Sequence, residues 1–362
     1  MGRPQIKIFR RELAPQFIAA ATKKPQKLLP LLLAATQHVR DAILLPSAQN
    51  LDDIPIEHKD TGAQRDADAK TFTIITDKQC EAEMARLLSA SFPQALLISE
   101  EKYGDSATAE KQRVLDEALA TDRMVILTDP LDATRDFRTG GDGYGTLVAV
   151  LQNGEITAAV AHRSTDYADP SGLGHTLTFE KGDGVRRDGR LISPLSGRVF
   201  PDDTLKLRGY AGAEFIAPMR RKGAADKTGF PDLAGKFDSL SDLWTCSKLL
   251  DDLLTGTHHF ALVPPPPDLF DYPAALGLIN AAGGTARFLD GTPATFAEIV
   301  RRQNFDGDDK AAKALLNTLV FAVSENVFKA VQKTVCDAAG LTIPARPSPR
   351  EIPKPRIRDL HK

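Results

Sequence analysis

The sequence predicts an α/β (α+β) protein in two parts: helices packed on an antiparallel sheet, then a unit in which strand and helix alternate. Two observations carry this. Asn153-Gly154 separates two apolar runs, 144–151 and 156–162, and is a strong hairpin signal. Beyond residue 205, short apolar runs alternate with amphipathic ones, the pattern of α/β units. The expected division is therefore 1–204 for the first part, 205–343 for the second, and 344–362 for a disordered tail rich in Pro, Arg and Lys.

In chain order, 27–45 reads as an amphipathic helix with Leu28, Leu31, Leu32, Ala35, Val39 and Ile43 on one face. Residues 46–70 are polar and contain Pro, a mobile loop. Residues 71–76 read as a strand, after which Asp77 caps a helix carrying Cys80, Met84, Leu87 and Leu88. Pro93 breaks that helix. Two short buried strands, 95–98 and 124–127, deliver Glu100 and Asp129 at their ends. Residues 176–179, with the turn 181–184, extend the antiparallel sheet. In the second part, 239–254 is a helix, 258–263 a strand and 264–267 a four-proline linker. A helix over 271–282 closes at Gly283-Gly284. Strands follow at 285–289 and 319–323, and a helix at 325–338.

The totals narrow the function. A chain of 362 residues, 42% hydrophobic and 26% charged, can bury a large core or two. A net charge of −2 gives no nucleic-acid footprint. Apolar runs such as 28–35 are too short to cross a bilayer, and no apolar segment with a small-residue cleavage site follows the N-terminus. Three dispersed cysteines, Cys80, Cys246 and Cys336, fit reduced thiols and a cytoplasmic location.

Chemistry concentrates at Asp129-Pro130-Leu131-Asp132-Ala133-Thr134. A Pro-stiffened turn separates two carboxylates, so both can face one cavity, with the Leu131 carbonyl as a neutral oxygen between them. Ala133 and Thr134 then open a helix whose free N–H groups and dipole suit a phosphate. Glu100-Glu101 lies upstream and Asp271 downstream at a helix start. Such oxygens suit Mg²⁺. Each piece has a plainer reading: Asp-Pro followed by Asp-x-Thr is also an ordinary turn and N-cap, Glu100-Glu101 a solvated loop, and Asp271 a cap. Their joint placement at strand ends and helix starts favours the metal reading. Two Asp with a gap of two residues do not match an aspartyl-nucleophile phosphatase, and no Walker loop is present.

Ile98-Ser99-Glu100-Glu101, then Asp129 to Thr134, then Leu269 to Ala275 with Ala281-Ala282-Gly283-Gly284, resemble the inositol monophosphatase family in its own order. That lithium-sensitive, Mg²⁺-dependent superfamily includes 3′(2′),5′-bisphosphate nucleotidases and fructose-1,6-bisphosphatases. The resemblance runs from about residue 30 to 335 and implies a layered α-β-α-β-α sandwich. It implies two or three Mg²⁺ ions, with Glu100, Asp129 and the Leu131 carbonyl at the first and Asp129, Asp132 and Asp271 at the second. Asp77 matches the family's early Thr-Asp element, binding a third ion or pairing with Thr134. Glu101 stands behind the ligands. A metal-held water between Glu100 and Thr134 would attack the ester, and Asp77 through Thr134 is an alternative proton route. Asp132, the Ala133 and Thr134 amides, Ser247 and Lys248 would meet the substrate, a small phosphate ester. Dimers are common in the resembled family, so a homodimer is the assembly it implies.

Three positions depart from the family pattern. Ala133 stands where Gly is usual, at a φ expected to suit Ala. The Gly-Ser element before the substrate helix is diluted to Thr245-Cys246-Ser247-Lys248, and Phe270 replaces a Trp. Arg135-Asp136-Phe137 is nearer the Lys-Glu-Phe of the bisphosphate nucleotidases than the Thr-Asn-Phe of the inositol enzymes, unless it is a solvent-facing ion pair. Lys248 and Arg287 are either contacts for a second phosphate or ordinary surface cations. His162, His258 and His259 read as structural, since none has metal-like spacing. A non-catalytic ligand-binding protein and a sugar bisphosphatase are the competing functions.

Overall fold

The computed structural model describes residues 28–51, 56–58, 72–104, 106, 108–169, 171–201, 203–212, 215, 231–233, 235–242, 245–265, 269–303 and 315–342. The expected tail, most of the 46–70 loop and part of the proline linker lie outside the described residues. The strands are β1 (Ile56–His58), β2 (Phe72–Ile74), β3 (Leu96–Ser99), β4 (Val125–Asp132), β5 (Gly145–Gln152), β6 (Glu155–Arg163), β7 (Thr176–Glu180), β8 (Gly184–Arg187), β9 (Arg190–Leu191), β10 (Arg208–Ala211), β11 (Ser239–Asp242), β12 (Phe260–Val263), β13 (Thr285–Phe288) and β14 (Leu319–Ala322). The helices are α1 (Leu28–Val39), α2 (Ile75–Ser91), α3 (Glu100–Gly104), α4 (Thr108–Ala120), α5 (Thr134–Thr139), α6 (Cys246–Thr255), α7 (Asp271–Ala281), α8 (Phe296–Gln303) and α9 (Glu325–Ala338).

A seven-stranded sheet runs β3-β4-β5-β6-β7-β8-β9 and a five-stranded sheet runs β11-β10-β12-β14-β13. α1 and α2 cover one face of the larger sheet. α6 and α7 pack on its other face, α7 also touches β13, and α9 packs on β12, β13 and β14. The result is a five-layer α-β-α-β-α sandwich.

The central strands explain the layering. β5 is apolar at successive positions: Leu147, Ala149 and Leu151 enter the core shared with α6, α7 and the smaller sheet. Val148 and Val150 enter a second core under α1 and α2. Buried on both faces, the strand reads as a continuous apolar run. α7 is apolar all round, with Tyr272 through Ile279 buried, as a helix between two sheets must be. Its large side chains contribute roughly 1.5–3 kcal/mol each on burial. Gly277 lets α7 close on β6; a Cβ there would sit 2.9 Å from Ile156 Cγ2. The β5–β6 hairpin turns at Asn153 (φ 53°) and Gly154 (φ 75°), the left-handed pair of a type I′ turn.

Several expectations need correction. α1 continues through a π-helical turn, Arg40–Leu44, into Leu45–Ala48, so the whole helix is long and apolar enough by length and composition to span a bilayer. Leu32, Ala35, Val39, Leu44 and Leu45 on it are nevertheless buried within the fold. α2 starts at Ile75, which places Asp77 inside its first turn and not at its cap. The expected helix 239–254 is a strand, β11, followed by α6, because Ser239–Asp242 pairs in parallel with β10. The larger sheet is not wholly antiparallel, since β3 and β4 are parallel. Helices α4 and α8 have no counterpart in the sequence expectation.

Candidate metal and phosphate site

The pivotal local structure is the end of β4. The sequence suggests a turn between Asp129 and Asp132, but the strand runs through both. Opposite β5, Asp129 pairs with Leu147 and Asp132 with Gly145, so three steps on β4 answer two on β5. This is a bulge. Side chains alternate faces along a strand, so residues three apart point to opposite sides unless one extra residue intervenes. The bulge supplies that residue and lets both carboxylates face one hollow. Pro130 is tolerated in a bulge, and its carbonyl accepts the Thr146 hydroxyl at 2.9 Å.

Two neighbouring elements complete the set. β3 runs parallel to β4 with Ser99 opposite Thr128, so Glu100 emerges beside Asp129. Glu81 of α2 accepts the Glu101 amide at 2.9 Å and the Lys102 amide at 3.1 Å, fixing the first turn of α3. α7 begins at Asp271, where the helix dipole favours a carboxylate. One oxygen from each of Asp129, Asp132 and Asp271 lies within 4.8 Å of the others.

The two strand carboxylates live in different fields. Burial first, then the charges of Glu100, Asp271 and Asp132, push the Asp129 pKa well above the usual carboxylate range. Asp129 Oδ1 accepts the Leu131 amide at 3.0 Å. Burial also raises the Asp132 pKa, but donors oppose it. Asp132 Oδ2 receives the Ser247 amide at 2.9 Å and lies 2.9 Å from the Thr245 hydroxyl, while Oδ1 receives the Cys246 amide at 3.3 Å. Asp132 thus caps α6 from another strand. An all-oxygen anionic donor set, in which the neighbouring carboxylates raise the Asp129 pKa, fits a hard divalent cation such as Mg²⁺.

After β4 the chain turns sharply at Ala133, with φ 65° and ψ 49°. The expectation that Ala sits here at an ordinary helix-start φ is wrong: the position is left-handed, which explains why Gly is the favoured residue. The Ala133 side chain packs against the core under α1 and α2. Thr134 opens α5, and its hydroxyl lies 3.0 Å from Asp77 Oδ1 and 3.2 Å from the Leu131 carbonyl. Asp77 is therefore linked to the site through Thr134.

Other expected residues land as follows. Both the amide and the hydroxyl of Ser247 bond within the protein, to Asp132 and to the Gly143 carbonyl. Lys248 Nζ lies 3.4 Å from Asp252 Oδ2, and Arg287 Nε donates to Glu325 at 3.2 Å. Asp136 does not face solvent: it is half-buried and accepts the Gly143 amide at 2.5 Å. His162 is fully buried between Thr176 and Arg40. Its pKa is pushed down to about 3 by burial first and the Arg40 charge second, so it is neutral and structural. His259 accepts the Arg208 amide.

Sequence reasoning gave no role to Gly143 or Glu81, and named Thr245 only as part of the diluted Gly-Ser element. Thr245-Cys246-Ser247 carries a visible helix-start signal. Its acceptor, however, is 113 residues away in Asp132 and has no local mark.

The model of the inositol monophosphatase family matches residues 30–324. No curated protein matches the sequence. Among solved structures, the extragenic suppressor protein suhB from Bartonella henselae superposes with a TM-score of 0.61 at 14% identity, covering 85% of this chain and 98% of that one. A Thermotoga maritima IMPase gives 0.59 at 17% identity, covering 86% and 98%. SaIMPase-II, from Staphylococcus aureus, gives 0.57 in structures bound to inositol monophosphate (14% identity, covering 86% and 94%) and to 2′AMP (13%, covering 85% and 93%). At these identities the likeness is one of fold.

Proposed function

The chain belongs to the inositol monophosphatase family, and on that premise we propose that it is a Mg²⁺-dependent phosphomonoesterase acting on a small phosphorylated metabolite. The observation that carries the reading is the convergence of Asp129, Asp132 and Asp271 within 4.8 Å. Asp129, Asp132 and Asp271, with Glu100 and the Leu131 carbonyl, would hold two or three Mg²⁺ ions. Ions held there would supply Lewis acidity toward the ester and toward an attacking water.

The chain's own groups do the rest. Ala133 is left-handed and Thr134 begins a helix, an alternation that turns successive amides toward an anion. Those amides would hold the phosphate. Glu100 would accept a proton, and the Thr134 hydroxyl, 3.0 Å from Asp77, would offer a second route. Burial of Asp129 and Asp132 keeps this chemistry in a low-dielectric setting, where charge stabilisation is strong.

For substrate class we propose an inositol phosphate or an ester of the 3′-phosphoadenosine 5′-phosphate type. That one related fold accepts both inositol monophosphate and 2′AMP supports keeping both classes. A second reading, ligand binding without turnover, draws on Ala133 in place of the usual Gly. A homodimer and a cytoplasmic location accompany the proposal.

The test is phosphate release from inositol phosphates, adenosine 3′,5′-bisphosphate and sugar bisphosphates, with Mg²⁺, with and without lithium. The reading expects turnover of at least one ester, lost in excess EDTA. Full activity in EDTA would refute the metal mechanism. Mg²⁺-supported binding of an ester with no release across the panel would favour the second reading.

A further inference from the structure

Between α5 and β5 the chain passes through Gly140-Gly141-Asp142-Gly143, and Gly143 is clamped from both sides. Its amide donates to Asp136 Oδ2 at 2.5 Å. Its carbonyl faces two hydroxyls, Thr245 Oγ1 at 2.5 Å and Ser247 Oγ at 3.0 Å. Those hydroxyls are 3.0 Å from each other, and Thr245 Oγ1 also lies 2.9 Å from Asp132 Oδ2. Thr245, Ser247 and Asp132 are all buried. There is no slack in the clamp: a Cβ on Gly143 would fall 2.7 Å from Thr245 Cγ2 and 2.8 Å from Asp136 Oδ2.

Resting on the metal-site reading above, we infer that Thr245, set in place by the Gly143 peptide, is a positioning residue that orients the Asp132 carboxylate for metal. Ser247 belongs to the same device and is not a substrate contact. Two hydroxyl protons face the Gly143 carbonyl, the Asp132 carboxylate and each other's oxygens. The arrangement that serves both acceptors has Ser247 Oγ donate to the Gly143 carbonyl and Thr245 Oγ1 donate to Asp132 Oδ2, so the Gly143 peptide directs the Thr245 proton by taking that of Ser247. With Oδ2 tied to the Thr245 side chain and the Ser247 amide, and Oδ1 to the Cys246 amide, the carboxylate plane cannot swing. Partners that orient a metal ligand typically matter by about 10–100-fold in metal affinity.

The experiment is Mg²⁺ titration of the metal-stripped full chain by calorimetry, with thermal unfolding in EDTA measured in parallel. Thr245→Val keeps the branched shape and removes the hydroxyl; Thr245→Ser keeps the hydroxyl and removes the methyl. The inference expects Thr245→Val to weaken Mg²⁺ binding by about 10-fold or more and Thr245→Ser to stay within about 3-fold of wild type. Gly143→Ala, outside the ligand set, should weaken binding in the same direction through the displaced Thr245. Unchanged binding in Thr245→Val overturns the inference. So does equal loss in Thr245→Val and Thr245→Ser, since that marks packing and not the hydroxyl. A wild-type chain that binds no Mg²⁺ would instead sink the metal-site reading itself.

Discussion

Asp129 and Asp132 leave the same strand three residues apart and face the same hollow, yet their surroundings are opposites. Asp132 is met by two amides and a hydroxyl at the head of α6, so the chain alone holds it in place. Asp129 is met mainly by other carboxylates, those of Glu100, Asp271 and Asp132. One half of the site is pre-organised by hydrogen bonds, and in the other half carboxylates repel one another unless a cation lies between them. This difference suits a metal site better than a structural cap, because caps are stable without help.

Substitutions at the two residues should separate these roles. Asp129→Asn removes a proposed ligand and should lower phosphate release by on the order of 10³-fold, equivalent to about 4 kcal/mol of transition-state stabilisation. A variant that retains half the wild-type rate would place Asp129 outside the chemistry.

The stability of the stripped protein should move the other way. Removing the Asp129 charge relieves repulsion, so Asp129→Asn should melt a few degrees above wild type in EDTA and gain little from added Mg²⁺. Asp132→Asn trades an acceptor oxygen for an amide among donors and should melt below wild type. Equal shifts for the two variants would erase the contrast.

Acidification probes the same feature. The folded pKa of Asp129 is raised, so the folded state binds a proton that the unfolded chain releases. Stability from this group is full below the unfolded carboxylate pKa and is lost as pH rises through the raised folded value. In EDTA, denaturant stability should therefore grow as pH falls from neutral toward the ordinary carboxylate range. In saturating Mg²⁺ the trend should flatten or reverse, since protons compete with the metal. Identical pH profiles with and without Mg²⁺ would argue against cation binding at Asp129.

The smallest effect is expected at Ala133. Gly there relieves left-handed strain of about 1–2 kcal/mol but gives up a packed methyl of about 0.8 kcal/mol and adds unfolded-state entropy. The net change in urea unfolding should stay within about 1 kcal/mol.

The sequence made some features plain and hid others for physical reasons. Asn153-Gly154 announced the hairpin because a type I′ turn depends on two adjacent residues. Asp129-Pro130-Leu131-Asp132 announced a pair of oxygen-bearing side chains by composition. The bulge that aims them was hidden, because it is a register difference against β5. The left-handed Ala133 was hidden for a related reason: Ala does not advertise positive φ as Gly does. β11 was misread because Ser-Leu-Ser-Asp has no strand periodicity and is recruited by its parallel partner β10. The Thr245–Asp132 contact joins segments that only folding brings together.

An anomalous difference map from crystals soaked in Mn²⁺ is the most direct test of the central claim. The account predicts at least one peak within coordination distance of Asp129, Asp132 and Asp271 together. Crystals that diffract well, take up Mn²⁺ elsewhere, and leave the space between those three carboxylates empty would contradict it.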